Sequence, residues 1–347
     1  MDIYLITLCS SLILYVFLKN FIHKNKFLLV FLSLLPLLIV SAIRYNVGWD
    51  YSGTYHDGFV MIGKRYNIHY FTEEPFNWLV RIIYDSSKGK NEWLFIICSI
   101  INFIILAKAI SDQSINVPVS IMLIVMMRYY FLTLNIVRQG IAMVIFLFSI
   151  KYIRQRNFKK YFLSILFACC FHLMSIVYLP IYFICQLDYK KRKNVICILI
   201  WIILLFAGYS FMMLKTKYVY YIGSKYDDKQ LLIHEVLLGF CVAFFAFLEY
   251  KNNNVDKEYY KIYFILNLIY FIVALMSPLL PVADRLCWLF YIANILFIPM
   301  ILKNAKKKSD SAIIFLILFL LMGMTLFAQT IMGDSYSVIP YKTIFRK

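Results

Sequence analysis

Ten apolar stretches, separated by short polar links, leave this chain few ways to fold. They are 3–18, 27–43, 93–109, 117–134, 140–153, 195–214, 234–250, 259–276, 286–302 and 312–330. A helix needs roughly 20 apolar residues to cross a bilayer core. Inside lipid every backbone amide must be satisfied within its own segment, and apolar runs achieve this as helices. Hydrophobic residues make up 63% of the 347 and charged ones only 16%, a balance too apolar for a water-soluble domain. The expectation is an all-α polytopic membrane protein, a single integral membrane domain over 1–347 with about 10 transmembrane helices. The first run resembles a secretory leader in length. No basic region precedes it and no small-residue cleavage pattern follows, so it reads as a helix.

The net charge of +18 is not a nucleic-acid signature. Lys and Arg sit in short clusters between apolar runs, where they set orientation. The eight cysteines lie in or beside those runs without metal-ligand spacing. Free thiols are expected, with no metal and no cofactor.

The run 161–187 differs from the others. Lys151, Arg154, Arg156, Lys159 and Lys160 precede it, and Lys190, Lys191, Arg192 and Lys193 follow it. A single crossing would put one cluster outside, against the positive-inside rule. Two half-helices of about 13 residues each reach about 20 Å, past the midplane of the core. The run therefore reads as a re-entrant hairpin turning near Phe171–Ser175. With that hairpin the basic clusters collect on the cytoplasmic side, and both termini fall outside.

The long hydrophilic stretch 44–92 is then an outer loop. Gly48, Gly53, Gly58 and Gly63 mark its first part as irregular backbone. Thr72 is placed to cap an amphipathic helix near 72–85. The stripe Phe76, Leu79, Val80 and Ile83 suits a helix lying flat in the membrane interface. A second outer loop carries Tyr218, Tyr220, Tyr221 and Tyr226.

This topology gathers the unusual polar residues on one side: Arg44, Asn46 and Asp50; Glu73 and Glu74; Asn135, Arg138 and Gln139; His172 at the hairpin turn; Asp284 and Arg285; Tyr341 and Lys342. Each also has a plain structural reading. Arg44 can snorkel beside a Tyr45/Trp49 belt, and Arg138 can cap a tight turn. His172 can be a packing histidine, Glu73 and Glu74 first-turn charges, and Asp284–Arg285 a local ion pair. Yet arginines at membrane depth each cost roughly 2.5–3.5 kcal/mol or more, so several converging ones suggest a ligand. The guanidinium fork binds phosphate oxygens in pairs and stays charged, which suits a pyrophosphate. A nearby carboxylate or imidazole could deprotonate an incoming hydroxyl. That equipment fits glycosyl transfer from a lipid pyrophosphate, and equally an anion transporter.

Arg44-Tyr-Asn46-Val-Gly48-Trp-Asp50-Tyr51 resembles the signature of the EpsG family, Wzy-like polymerases of bacterial exopolysaccharide and O-antigen. So do Asn135-Ile-Val-Arg138-Gln139-Gly-Ile-Ala142, Phe171-His172-Leu-Met-Ser175, Leu179-Pro180-Ile-Tyr182, Arg285-Leu286 and Pro340-Tyr341-Lys342. The resemblance implies a metal-independent glycosyltransferase in the bacterial cytoplasmic membrane, its site facing the periplasm or exterior. It would move a growing glycan from undecaprenyl pyrophosphate to a hydroxyl of the next lipid-linked unit. On that basis Arg44, Arg138 and Arg285 are expected to hold the pyrophosphate, and Asp50 or His172 to be the base. Asn46, Glu73, Glu74, Asn135, Gln139, Tyr341 and Lys342 are expected to contact substrate. The partners implied are undecaprenyl-pyrophosphate-linked oligosaccharides, membrane lipids, a flippase and a chain-length regulator, with no nucleic acid.

Two other functions fit the same residues: an O-antigen ligase or related envelope glycosyltransferase, and a transporter or flippase of lipid-linked oligosaccharide. Transporters often carry paired broken helices. The sequence displays one expected break, at 171–175.

Overall fold

A computed structural model describes residues 2–187, 192–215, 219–220, 222–224, 229–252, 255–334 and 336–345. Tyr218, Tyr221, Tyr226, Lys190 and Lys191 lie outside the described residues. The protein is 77% helical, and no strand element occurs among the described residues. Four helices start on side-chain caps that take up an orphan amide. Asn25 accepts from Leu28, Asn116 from Val119, Asn157 from Lys160, and Asp256 from both Glu258 and Tyr259.

The chain packs as two compact units, residues 1–148 with 319–347, and residues 149–318. The first unit contains α1 (Asp2–Lys19), α2 (Lys26–Ala42), α3 (Asp57–Gly63), α4 (Glu74–Ser87), α5 (Glu92–Gln113), α6 (Val117–Met126) and α7 (Tyr129–Asn135). The start of α8 (Val137–Arg154) also belongs to it. Helices α2 and α5 lie side by side, joined at a buried Ser41–Ser99 hydroxyl pair 2.9 Å apart. The two ends of the chain meet here: the Tyr4 hydroxyl donates to the Val338 carbonyl at 2.8 Å. The tail also pairs with the segment leaving α2. Tyr45 N–H donates to Lys342 O, Gly48 N–H to Ser337 O, and Ile344 N–H to Ile43 O. The N-terminus, the Arg44 segment and the tail thus share one side of this unit.

The second unit holds the end of α8 with α9 (Phe158–Cys169), a 3-10 turn (Leu173–Tyr178), α10 (Leu179–Gln186) and α11 (Arg192–Lys215). It continues with α12 (Ile233–Glu249), α13 (Lys257–Leu275), α14 (Ala283–Tyr291) and α15 (Asn294–Asn304), and enters α16 (Lys308–Leu326). The expected fold-back is visible in ring contacts between the start of α9 and the end of α10. Phe158 lies 5.2 Å from Tyr182 and from Phe183, and Tyr161 5.5 Å from Tyr182. Tyr161 OH donates to Tyr178 O at 2.6 Å, and Gln186 to Ile153 O at 2.9 Å.

Among the described residues, four helices are long and apolar enough to cross a membrane, or six if each bent pair is one crossing. The other expected crossings are helical but shorter, like the 17 residues of α2, or carry charge near their ends, like α8. The bent pairs correct the expectation of a lone break. Helices α6 and α7 meet at 53° across Met127–Arg128, with Arg128 buried at φ +65°, and α14 and α15 meet at 47°. The outer helix also differs from expectation. It runs 74–87 with Glu73, not Thr72, at the cap position. Phe76, Val80 and Ile83 are buried in protein, and the exposed face instead carries Trp78 and Ile82.

Candidate functional site

The outer segment folds around Arg138. After α7 ends at Asn135, the chain turns at once into α8, which places Arg138 in its first turn, among the unpaired amides that favour anions. Its guanidinium forms an ion pair with Glu73, stacks 4.6 Å over the Phe71 ring, and lies 5.8 Å from Phe76. Its backbone N–H donates to the Tyr55 hydroxyl at 3.2 Å. Burial pushes that hydroxyl up to about 12, against the lowering effect of Arg138, so Tyr55 stays protonated at neutral pH. Phe71 is fixed by the Asn77 amide, which accepts from Phe71 N–H and donates to Phe71 O, both at 2.9 Å. The Glu73 side chain is 1% exposed and that of Arg138 14%, so the cation is the more exposed partner.

Glu74 faces outward and pairs with His69 at 2.7 Å. It lines a surface groove of about 310 Å³ with Ile68, Asn77, Trp78, Arg81 and Ile82. The groove and the ion pair are therefore adjacent at the start of α4.

Arg44 occupies a different setting. It is 1% exposed, donates to Ser41 O at 2.5 Å and Leu134 O at 3.5 Å, and lies 4.7 Å over Phe95. The adjoining cavity, about 10 Å³ between Ser41, Ser99, Asn102 and Thr133, has room for one water and not for a pyrophosphate. In this conformation Arg44 braces the exit of α2.

The other expected residues in this motif set the backbone. Asn46 lies at φ +50° and Gly48 at φ +98°, both in the left-handed region that Asn and Gly tolerate. The Asn135 side chain accepts from Trp49 N–H at 2.6 Å and donates to Phe131 O and Tyr336 O at 3.1 Å, tying motif, α7 and tail together. Asp50 accepts from Thr54 at 3.4 Å, and Gln139 is buried. The Tyr341 hydroxyl donates to Val40 O at 2.8 Å, while the Lys342 side chain is exposed.

His172 and Arg285 belong to the second unit. His172 is buried at the head of the 3-10 turn, and its backbone carbonyl accepts from Ser175 N–H at 3.0 Å. Arg285 N–H donates to Asp284 at 2.8 Å, and Asp284 feels the charges of both Arg285 and Glu235. Glu235 was not expected. It is buried in the first turn of α12, and its signal was an acid at the head of an apolar run. Tyr55, Phe71 and Asn77 were also missed, because neutral residues in a loop carry no charge signal.

Several long apolar helices and an arginine caged at a helix start, with a carboxylate behind it and a groove beside it, define the class as a multi-pass integral membrane protein. The chain belongs to the EpsG family, whose model matches residues 27–343. EpsG is a family of Wzy-like polysaccharide polymerases. No curated protein and no solved structure matches the chain.

Proposed function

We propose that this protein lengthens a lipid-linked glycan on the outer face of the bacterial cytoplasmic membrane. It transfers the growing chain from undecaprenyl pyrophosphate to a hydroxyl of the next lipid-linked unit. The observation that carries this reading is Arg138, 14% exposed and caged by Phe71, Phe76, Tyr55 and Glu73 at the start of α8. A guanidinium there neutralises the leaving pyrophosphate, and the helix start adds its positive end. Arg285 is the second donor-binding cation in this reading, and Arg44 a fixed charge behind the motif. Asp50 or His172 is the base expected from sequence. The groove beside Glu74 and Trp78 takes the acceptor sugars. The arginines can neutralise the leaving group without a metal. A flippase supplies the repeat units and a chain-length regulator governs their number.

The orientation, with both termini outside, is supported by the meeting of Tyr4 and Val338 beside the Arg44 segment, together with the inside placement of the basic clusters. The test is a gel of envelope glycans from a strain lacking the gene, complemented with wild type or Arg138→Ala at matched protein levels. A single-repeat glycan in the deletion, a ladder with wild type and none with the variant is the expected result. No repeat at all in the deletion would redirect the assignment to a ligase or flippase.

One observation favours a second reading. Bent apolar pairs at α6/α7 and α14/α15 are the broken helices that transporters use. Chain lengthening by purified protein in detergent, with no compartments to cross, would exclude transport as its whole role.

A further inference from the structure

Helix α4 ends at Ser87 and α5 begins at Glu92, so a short turn carries the chain from the outer segment onto a helix long and apolar enough to cross a membrane. Lys88 at φ +54° and Gly89 at φ +79° both take the left-handed backbone, and Gly89 N–H donates to Tyr84 O at 3.0 Å. That stop ends α4 sharply and leaves Lys88 and Lys90 exposed at the corner. A groove of about 400 Å³ lies in this corner. Ser86, Ser87, Lys88 and Lys90 form its polar side, and Trp93 and Ile97 of α5 its apolar side. The nearest acids in sequence are engaged elsewhere and do not line it: Asp85 pairs with Arg81 at 2.9 Å, and Glu92 interacts with the Tyr51 hydroxyl. The groove is therefore cationic. Beyond it, exposed Trp93, half-buried Ile97, and exposed Ile100 and Ile104 make a stripe along one face of α5. At 1.5 Å per residue the stripe is about 16 Å long, roughly half of a bilayer core.

We infer that this groove seats the pyrophosphate of the acceptor lipid, with its hydrocarbon tail along the stripe from Trp93 to Ile104. The inference rests on the glycosyl-transfer reading above. That reaction brings together two lipid-linked molecules, and only the donor's pyrophosphate leaves. The acceptor's must be held intact at the membrane surface, with a path for its tail. Lysine suits that task, because its ammonium is a compact, hydrated point charge that holds a phosphate without the clamping fork of an arginine. Two ammonium groups beside two serine hydroxyls match two linked phosphates, and one stripe matches one tail. A glycerophospholipid with a single phosphate and two acyl chains fits the corner less well. Trp93 stands where an indole prefers the headgroup boundary and so sets the depth of the head. Phe95, two residues further on and buried, packs its ring 6.2 Å from that of Tyr55, whose hydroxyl takes the Arg138 N–H. Helix α5 thus stands between the groove and the Arg138 cage, which keeps two like-charged pyrophosphates apart. The groove beside Glu74 and Trp78 shares α4 with this one. Ser86 lies about 12 Å along that helix from Trp78, so the sugars of a head seated at the lysines extend towards it.

The experiment uses full-length protein in detergent and farnesyl pyrophosphate as the lipid-pyrophosphate probe, in one form carrying a diazirine on its tail. Photolysis should mark α5 between Trp93 and Ile104, read by mass spectrometry of its peptides. Unlabelled probe should abolish that mark, and phosphatidylglycerol at the same concentration should not. Lys88→Asn with Lys90→Gln removes both charges and puts at 88 a residue that tolerates the left-handed turn. In this double variant the mark should fall about tenfold or more, and the KM for lipid-linked repeat units should rise by about as much, with kcat within about threefold of wild type. Lys88→Arg with Lys90→Arg should keep both the mark and the KM. Thermal unfolding checks that each variant is folded, and Lys90→Gln alone, outside the helix cap, decides the matter if the double variant is not. No mark on 93–104, a mark that survives loss of the lysines, or an unchanged KM would overturn the inference. Displacement by phosphatidylglycerol as effective as by the probe would make the groove a phospholipid site and overturn it too. Wild type that is marked there yet joins no sugars would instead overturn the glycosyl-transfer reading, leaving the groove a lipid-pyrophosphate site alone.

Discussion

Gly48 packs so closely on Leu134 that a Cβ built on it would lie 2.5 Å from the Leu134 carbonyl oxygen and 3.2 Å from the Asn135 side chain. Its φ of +98° is also one that L side chains rarely adopt. Both constraints act on backbone, so neither is relieved by rotating a side chain. Gly48→Ala should therefore destabilise the protein by about 2–3 kcal/mol. It should also loosen the link between the motif, α7 and the tail. Thermal unfolding in detergent checks the first effect, and faster proteolysis of the tail after Gly333 checks the second.

Asn77 spends both ends of its amide on Phe71, whose ring supports the Arg138 guanidinium. Asn77→Leu keeps the volume but leaves a buried N–H and C=O of Phe71 without partners. The expected cost is about 2 kcal/mol. If Phe71 positions Arg138, polymer formed per folded molecule should fall as well, with the larger loss in probe binding rather than in kcat. Glycan gels normalised to protein folded by size-exclusion chromatography give the comparison.

The reading of the outer segment from sequence placed its helix within two residues. It took the glycine-marked stretch before that helix for irregular backbone, whereas Tyr51–His56 is a π-helix and Asp57–Gly63 is α3, with Gly53, Gly58 and Gly63 inside them. A stripe such as Phe76, Val80 and Ile83 has the same spacing whether it meets lipid or a protein core, because both are apolar. The structure assigns it to protein, against α3. The run 117–134 concealed its bend for a related reason. It contains no Gly and only Pro118 near its start, so nothing forecast a left-handed residue at Arg128. The packing of α9 against α10 agrees with the fold-back that the flanking charge clusters suggested, since charge, unlike apolarity, distinguishes one side of a membrane from the other. Arg138 was legible as an ionisable residue between two apolar runs, but its cage was not, since Tyr55, Phe71 and Asn77 reach it only through tertiary packing.

Asp256 caps α13 and accepts from Arg154 at 2.6 Å. Burial alone would raise its carboxyl, but the Arg154 hydrogen bond and the N–H groups of Tyr259 and Glu258 outweigh it and hold it below the usual 3.8. A depressed folded-state value means stability that is present at neutral pH and lost as pH falls through that value. Both partners are partly exposed, so the contribution is about 1 kcal/mol or less. Asp256→Ala should lower the melting temperature at pH 7, and the gap to wild type should close below about pH 4. A gap that persists unchanged at pH 3 would mean that packing, not the charged cap, sets the difference.

The contacts of Tyr161 and Phe158 with Tyr182 and Phe183 make a definite prediction about the membrane. Residues 157 and 187 enter and leave the hairpin together, since Gln186 reaches back to the Ile153 carbonyl. In a background with all eight cysteines replaced, Asn157→Cys and Leu187→Cys should react alike with a membrane-impermeant maleimide. Both should be protected in intact cells and labelled after permeabilisation, by the positive-inside rule. Trp78→Cys, at a position 72% exposed on the outer segment, should label without permeabilisation. If position 187 labels in intact cells while 157 does not, the run crosses the membrane once. The Lys190–Lys193 cluster would then face outside, and every later segment would change sides. Arg285 would then lie on the cytoplasmic face, against the role that the proposed function gives it. Shared protection of the two positions keeps Arg285 on the outer side, as the polymerase reading requires.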